Sequence, residues 1–224
     1  MKTVVLLCVV GVLGGWPSPA LAQPADPPAG RVEAGIGLIW IGRQPLGART
    51  ATEATAAGGT LALFNSSSEV AAAAGFEGRL GVRLTRSLVA EAGASYLKPQ
   101  LRIAISGDSE SAAAVTATET MQQFTIGGGV LWYLPGRSRR FAPFAMAGGG
   151  YLRQLHEQAT LVETGRFYQF GGGVSALLIS GRHFHTKGVG ARLDVRALIR
   201  SQGVAFDGGS NTSPAVGVSA FVRF

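Results

Sequence analysis

The feature that most constrains this chain is a two-residue alternation of apolar with small or polar residues, which recurs eight times after residue 31. The clearest instance runs from Val189 to Arg200, where Leu193 and Val195 fall on one face and Asp194 falls on the other. Side chains of a β-strand alternate between its two faces, so this spacing predicts strands and not helices. A soluble, half-buried strand shows the same pattern, so the argument rests on the number of repeats.

The alternation predicts eight strands. They are Val32–Trp40, Phe76–Leu84, Leu88–Tyr96, Phe124–Trp132, Phe141–His156, Tyr168–Leu178, Val189–Arg200 and Val216–Phe224. Beyond Lys98-Pro99 the apolar positions shift by one residue, which predicts a β-bulge near Pro99. Thr60–Phe64 reads as a further strand, but an odd count would place the two chain ends on opposite sides. We therefore interpret it as a ribbon or rim extension within the first loop.

The connections and the composition indicate a barrel in a membrane. Hydrophobic residues make up 46% of the chain and charged residues 15%, yet after the N-terminal segment no apolar run reaches the ~20 residues of a spanning helix. Short gaps alternate with longer polar ones; the longer ones are 43–73, 106–118, 159–165 and 201–213. These features predict an all-β fold, an eight-stranded antiparallel up-and-down transmembrane β-barrel with its short turns on the periplasmic side.

A soluble β-sandwich or a lipocalin-like barrel is the alternative, and it would bury the apolar face instead of exposing it. Aromatic residues near the strand ends favour the membrane barrel. Trp40 lies near a long loop, and Trp132 with Tyr133 lies near a short turn, as expected of the aromatic belts at the two membrane surfaces.

The first residues predict export of the chain. Lys2 precedes an apolar run that ends before an Ala20-Leu21-Ala22 cleavage site, which is the pattern of a signal peptide. We therefore predict a signal peptide over 1–22, a flexible leader over 23–30 and the barrel over 31–224. The only cysteine, Cys8, leaves with the signal, so the mature chain has no thiol for a disulfide or metal site. The formal charge of +7 falls to +6 without Lys2, and no Lys/Arg-rich run suggests a nucleic-acid partner.

The last nine residues carry a resemblance to a known family. Apolar residues alternate back from the terminal phenylalanine; they are Val216, Val218, Ala220, Val222 and Phe224. This resembles the C-terminal assembly signal of bacterial outer-membrane barrels, although Val222 stands where an aromatic residue is usual. The stretch Pro143–Tyr151 is similar to a strand of such barrels, and the whole mature chain resembles a small OmpA/OmpX-like barrel. The resemblance implies a monomer in the bacterial outer membrane, with outer-membrane lipid and the barrel-insertion machinery as partners.

The opposite strand faces predict a polar network inside the barrel. Its members are Glu33, Glu77, Arg79, Arg83, Glu91, Arg192, Asp194 and Arg196. Isolated charges in a closed interior are costly, whereas a mixed set can be paired. A three-residue turn at Thr85–Ser87 would place Glu91 across from Arg79 or diagonal to it, so we expect these two residues to be in contact or to share a water.

No catalytic residue, metal site or cofactor is predicted. His183 and His185 lack a nearby carboxylate or cysteine that would complete a metal shell. These observations favour a non-enzymatic protein that stabilises the membrane or presents its loops to a partner. The alternative is a lipid A deacylase or acyltransferase built around His156, with Glu157, Glu163, Thr160 and Thr164 close in sequence. A pore ranks below both, because an eight-stranded interior is just wide enough for its own side chains.

Overall fold

The computed structural model describes residues 32–56, 58–110, 112–135, 141–156, 162–179, 186–201 and 211–224. The predicted signal peptide and leader, His183 and His185 lie outside these residues, as do Glu157 and Thr160. The described residues form eleven strands: β1 Val32–Ile41, β2 Gln44–Ala54, β3 Thr60–Val70, β4 Ala73–Arg83, β5 Leu88–Leu97, β6 Gln100–Ser106, β7 Val115–Tyr133, β8 Phe141–His156, β9 Val162–Ile179, β10 Gly188–Ser201 and β11 Asn211–Arg223. No helix among the described residues is long and apolar enough to cross a membrane.

Eight of these strands close into an antiparallel barrel. Going round the wall, the order is β1, β4, β5, β7, β8, β9, β10 and β11, and the β7–β8 and β1–β11 pairings complete the ring. Each predicted barrel strand corresponds to one of these eight, so the predicted all-β, eight-stranded fold is confirmed. The turn between β4 and β5 is tight: Leu84 N donates to Leu88 O at 2.9 Å, and Thr85 Oγ1 accepts from Leu88 N at 3.0 Å.

The remaining three strands form a second sheet beyond the long-loop end of the barrel. β2 pairs with β3, β3 with β6, and β6 with the first residues of β7, Val115–Thr120. We call β2, β3, β6 and Val115–Thr120 the extension sheet. It confirms the ribbon interpretation of Thr60–Phe64, which lies in β3. The gap 43–73 is therefore not simply a loop, because most of it is strand, and β7 begins inside the gap 106–118.

The expected bulge near Pro99 is wrong. Leu97 faces Gln123 and Gln100 faces Thr120, so the pairing with β7 keeps one register across Pro99. Pro99 O also accepts from Met121 N at 2.9 Å. What changes is the environment of each face. The barrel wall exposes apolar residues outward, whereas the extension sheet buries them inward, where Leu101 and Met121 pack with Leu46 and Val70.

The outer wall of the barrel is an exposed apolar belt. Ile36 is 69% exposed, Leu178 69% and Tyr151 66%, and the belt carries one tryptophan at each end, Trp40 and Trp132. Large apolar side chains of a soluble protein would not be exposed in such numbers, which excludes the sandwich and lipocalin-like alternatives. Tyr133 was expected in this belt but is only 3% exposed; it faces the lumen and packs edge-on against Phe144.

Candidate functional site

The lumen of the barrel is organised in layers. Toward the long-loop end lies an apolar cluster; its members are Ile39, Ile41, Leu97, Leu152, Phe167, Leu198 and Ala215. Toward the short-turn end lies a second cluster, Val89, Leu131, Tyr133, Phe144 and Met146. Charged side chains of β4, β5 and β10 occupy the space between them. A charge there has apolar neighbours above and below, so it depends on its ionic partners.

Six charged side chains form one balanced cluster, the lumen network: Glu77, Arg79, Glu91, Arg192, Asp194 and Arg196. Three are cations and three are anions. Arg196 donates to both carboxylate oxygens of Glu77, at 2.8 and 2.7 Å. Arg192 likewise donates to both oxygens of Glu91. Such forked pairs are among the stronger hydrogen bonds in proteins.

Asp194 joins the two halves of the lumen network. Its side chain is fully buried. Arg79 Nη1 donates to Asp194 Oδ2 at 2.9 Å and Arg196 Nε donates to Asp194 Oδ1. Arg192 Nε lies 3.5 Å from Asp194 Oδ2. One carboxylate therefore contacts three guanidinium groups, and β4 is tied to β10 across the lumen.

Glycines on the inward face create the room for these side chains. Asp194 has Gly173 and Gly217 as its cross-strand neighbours, and Arg196 has Gly171. A Cβ added at Gly217 would lie 2.7 Å from Arg196 Nη2 and 2.9 Å from Arg79 Nη2. The glycines on the inward faces thus leave the space that the long charged side chains fill.

The expected ion pair between Arg79 and Glu91 does not form. Glu91 faces Gly81, which is the diagonal register that the three-residue turn allowed. Arg79 instead binds Glu77 and Asp194, and Glu91 binds Arg192. The reason is reach: long side chains that point into a narrow barrel meet the opposite wall as easily as the neighbouring strand.

The other two predicted network residues lie apart, toward the short-turn end. Glu33 accepts from Arg223 Nε at 2.8 Å, and this pair is partly exposed. The Arg83 guanidinium lies 5.7 Å from the centre of the Tyr133 ring. The predicted interior set therefore divides into the six-membered lumen network and two separate contacts.

The alternation also placed Arg200 on the inward face, but not as a network member. Arg200 is 6% exposed, and its Nη1 donates to Gln44 Oε1 at the start of β2. Nearby, Gln154 Nε2 donates to Gln123 Oε1 at 3.2 Å. Strand parity could have identified Arg200, Gln123 and Gln154 as inward-facing; their partners depend on how the extension sheet sits on the barrel.

His156 has an acidic partner, but not one that the sequence suggested. Its Nδ1 lies 2.9 Å from Glu119 Oε1, whereas Nε2 is buried without a hydrogen-bond partner among the described residues. Glu163 faces the lumen, but exposed Thr164 is on the outer face of β9, away from the inward-pointing His156. Thr164 is therefore not available as the nucleophile. Among the described residues, no group of three or more His, Cys, Asp or Glu side chains could hold a metal ion.

The C-terminal residues of the predicted assembly signal lie on β11 and just past its end. Val218 is 55% exposed and Phe224 is 45% exposed, and both belong to the outward face. Phe221 lies between them and is buried in the lumen. The alternating apolar residues at the end of the chain therefore lie on the outward face, which forms part of the apolar belt.

No family model and no curated relative matches this sequence. Solved structures do resemble it. OprG, an outer-membrane protein from Pseudomonas aeruginosa, has a TM-score of 0.52 at 10% identity, over 88% of this chain and 96% of its own. Ail, the attachment invasion locus protein of Yersinia pestis, has a TM-score of 0.40 at 10% identity, over 88% of this chain and 99% of its own. The likeness to OprG establishes the fold, that of a small bacterial outer-membrane β-barrel.

Proposed function

We propose that this protein is an integral outer-membrane barrel with a non-enzymatic role, either in membrane integrity or in contacts that its extension sheet makes at the cell surface. The observation that supports this proposal is the combination of an exposed apolar belt with a lumen that is filled by paired charged side chains. The belt suits lipid, and the filled lumen makes the barrel a rigid support.

The lumen offers little support for a pore. Its cavity has a volume of about 40 Å³ and is lined by side chains that include Glu77, Gln123 and Arg196. That space suits a few water molecules at most, since about 10–15 Å³ of such space is needed to hold one. Passage of a solute would require the charged pairs of the lumen network to separate.

The extension sheet supports the surface-contact part of the proposal. It lengthens the wall at the long-loop end, which faces the cell exterior in outer-membrane barrels. Apolar side chains are exposed on it, among them Leu61 at 50% and Val115 at 61%. Exposed apolar groups outside the membrane belt are typical of contact surfaces.

The test is a lipid analysis of bacteria that lack the protein, set against bacteria that carry the wild type or His156→Ala. We expect the three lipid A and phospholipid mass profiles to be the same. Cell fractionation should place the wild type in the outer membrane. An acyl group gained or lost only when His156 is present would overturn the non-enzymatic role.

The enzymatic alternative keeps one observation in its favour, the contact between His156 and Glu119. A histidine oriented by a carboxylate is the arrangement that activates a hydroxyl nucleophile. No hydroxyl of the described residues hydrogen-bonds to the histidine. The same lipid analysis with Glu119→Gln would show a partial loss of activity if this pair were catalytic.

A further inference from the structure

The outer wall of the barrel contains a depression at the long-loop end of the belt. It has a volume of about 640 Å³ and is lined by residues of β1, β4, β5, β7, β8 and β9. Its floor is made by Gly78 and Ala94, which are cross-strand partners. A Cβ added at Gly78 would meet nothing within 4 Å. The depression therefore exists because two of the smallest residues face outward among large ones.

Larger apolar side chains surround that floor. Ile36 pairs with Gly78 on one side, and Ile126 pairs with Ala94 on the other. On the next row toward the long loops, the rings of Tyr96 and Phe124 lie 4.7 Å apart between centres. An apolar groove of this shape fits hydrocarbon chains.

Cations lie directly beside the depression, on β8 and β9. Arg153 is the cross-strand partner of Phe124, and Arg166 is the partner of Tyr151. Arg153 and Arg166 are exposed and form no ion pair with a described residue. They are diagonal neighbours on the outward face, about 7–8 Å apart.

Among the described residues, no free carboxylate competes for these arginines at the depression. Glu77 is the one acidic residue of the described lining, and it points inward to Arg79 and Arg196. Lys98 adds another exposed cation, next in line after Tyr96. The apolar groove thus ends in a positive patch that no described carboxylate neutralises, at the level where the belt gives way to polar residues.

We propose that this depression binds a phosphorylated glycolipid of the lipid A class, with its acyl chains on Gly78 and Ala94 and its phosphates on Arg153 and Arg166. The proposal rests on the outer-membrane placement, because the long-loop end would then face the outer leaflet. Guanidinium groups bind phosphate oxygens in forked pairs. Two arginines on neighbouring strands fit a lipid with two phosphates better than a phospholipid with one.

The experiment is native mass spectrometry of the purified full barrel in a non-ionic detergent, titrated with diphosphoryl lipid A, monophosphoryl lipid A and phosphatidylglycerol. We expect one diphosphoryl lipid A to bind most tightly, and Arg153→Gln with Arg166→Gln to weaken it about tenfold or more, the loss of at least one charge-assisted contact. Lys187→Gln is the matched control, since Lys187 is an exposed cation at the short-turn end; it should leave the affinity within about twofold.

A second pair of variants tests the groove without changing the charge. Gly78→Leu fills the depression and should lower the affinity for diphosphoryl lipid A several-fold. Ala191→Leu introduces the same side chain on the outer face of β10, away from the depression, and should not. Heat-dependent gel migration of each variant verifies that the barrel has folded.

Several outcomes would overturn the proposal. They are equal binding by the double arginine variant and the wild type, equal affinity for phosphatidylglycerol, and release of the lipid by millimolar inorganic phosphate, which would indicate a site for free phosphate. Cell fractionation tests separately whether the protein lies in the outer membrane. A correctly placed barrel without lipid selectivity would refute only this site.

Discussion

Removal of the Asp194 charge should destabilise the barrel more than any other single loss in the lumen network. Asp194 is fully buried and faces three guanidinium groups, those of Arg79, Arg192 and Arg196. Asp194→Asn keeps the shape of the side chain but leaves three cations with two carboxylates between two apolar layers. Breaking a buried ion pair costs about 3–5 kcal/mol. One unit charge pair at ~4 Å in an effective dielectric of ~20 gives a similar ~4 kcal/mol.

The double variant Asp194→Asn with Arg79→Met should recover more than half of that loss. It restores equal numbers of cations and anions, and it leaves two complete forked pairs, Arg196 with Glu77 and Arg192 with Glu91. Recovery is expected because the unpaired charge, and not the lost hydrogen bond, is the larger part of the cost.

The assay is equilibrium unfolding of the folded barrel in detergent micelles by guanidinium chloride, followed by the fluorescence of Trp40 and Trp132. The midpoint multiplied by the denaturant slope gives the free energy of unfolding for each variant. Glu110→Gln is the control, because Glu110 is exposed outside the barrel; it should change the free energy by less than about 0.5 kcal/mol. If Asp194→Asn unfolds at the same midpoint as Glu110→Gln, the lumen is hydrated enough to solvate an unpaired guanidinium and the reasoning is refuted.

Four further results are expected. Gly217→Val should cost about 1–3 kcal/mol in the same assay, since its Cβ would lie 2.7 Å from Arg196 Nη2, whereas Gly78→Val should be close to neutral. Gln44→Ala should cost about 1–3 kcal/mol because Arg200 loses its hydrogen-bond partner in a buried place; a result under 0.5 kcal/mol would mean that water replaces the amide. Phe224→Asp should reduce the amount of barrel inserted in the outer membrane, whereas Leu61→Asp on the extension sheet should not; equal levels would count against a C-terminal assembly signal. The unheated wild type should migrate differently from the boiled protein in detergent gels, because a closed barrel keeps its strands paired until heated.

Much of the barrel could be predicted from the sequence because each strand records its own environment. Residues that face lipid must be apolar and residues that face the lumen must be small or paired, so the alternation gave both the number of barrel strands and the face of every charged residue in the lumen network. Ile36 and Leu193 were placed outward on this basis, and both are more than half exposed. The same rule led to the wrong prediction of a β-bulge at Pro99, because the apolar face of a strand does not always point outward. Past Leu97 the strand leaves the belt, and the buried side of the extension sheet becomes the apolar one.

The partners of the lumen charges were decided only by the closed barrel. The alternation along each strand predicts that the side chains of Arg79 and Asp194 both point inward. The two residues are nevertheless 115 positions apart in sequence, and two other strands, β1 and β11, lie between β4 and β10 along the barrel wall. Closure of the ring brings these strands face to face across a narrow lumen, and the glycines at 171, 173 and 217 leave the space in which the side chains meet. The alternation along one strand does not indicate which residues its side chains meet across the lumen. Those contacts depend on the register of every strand in between.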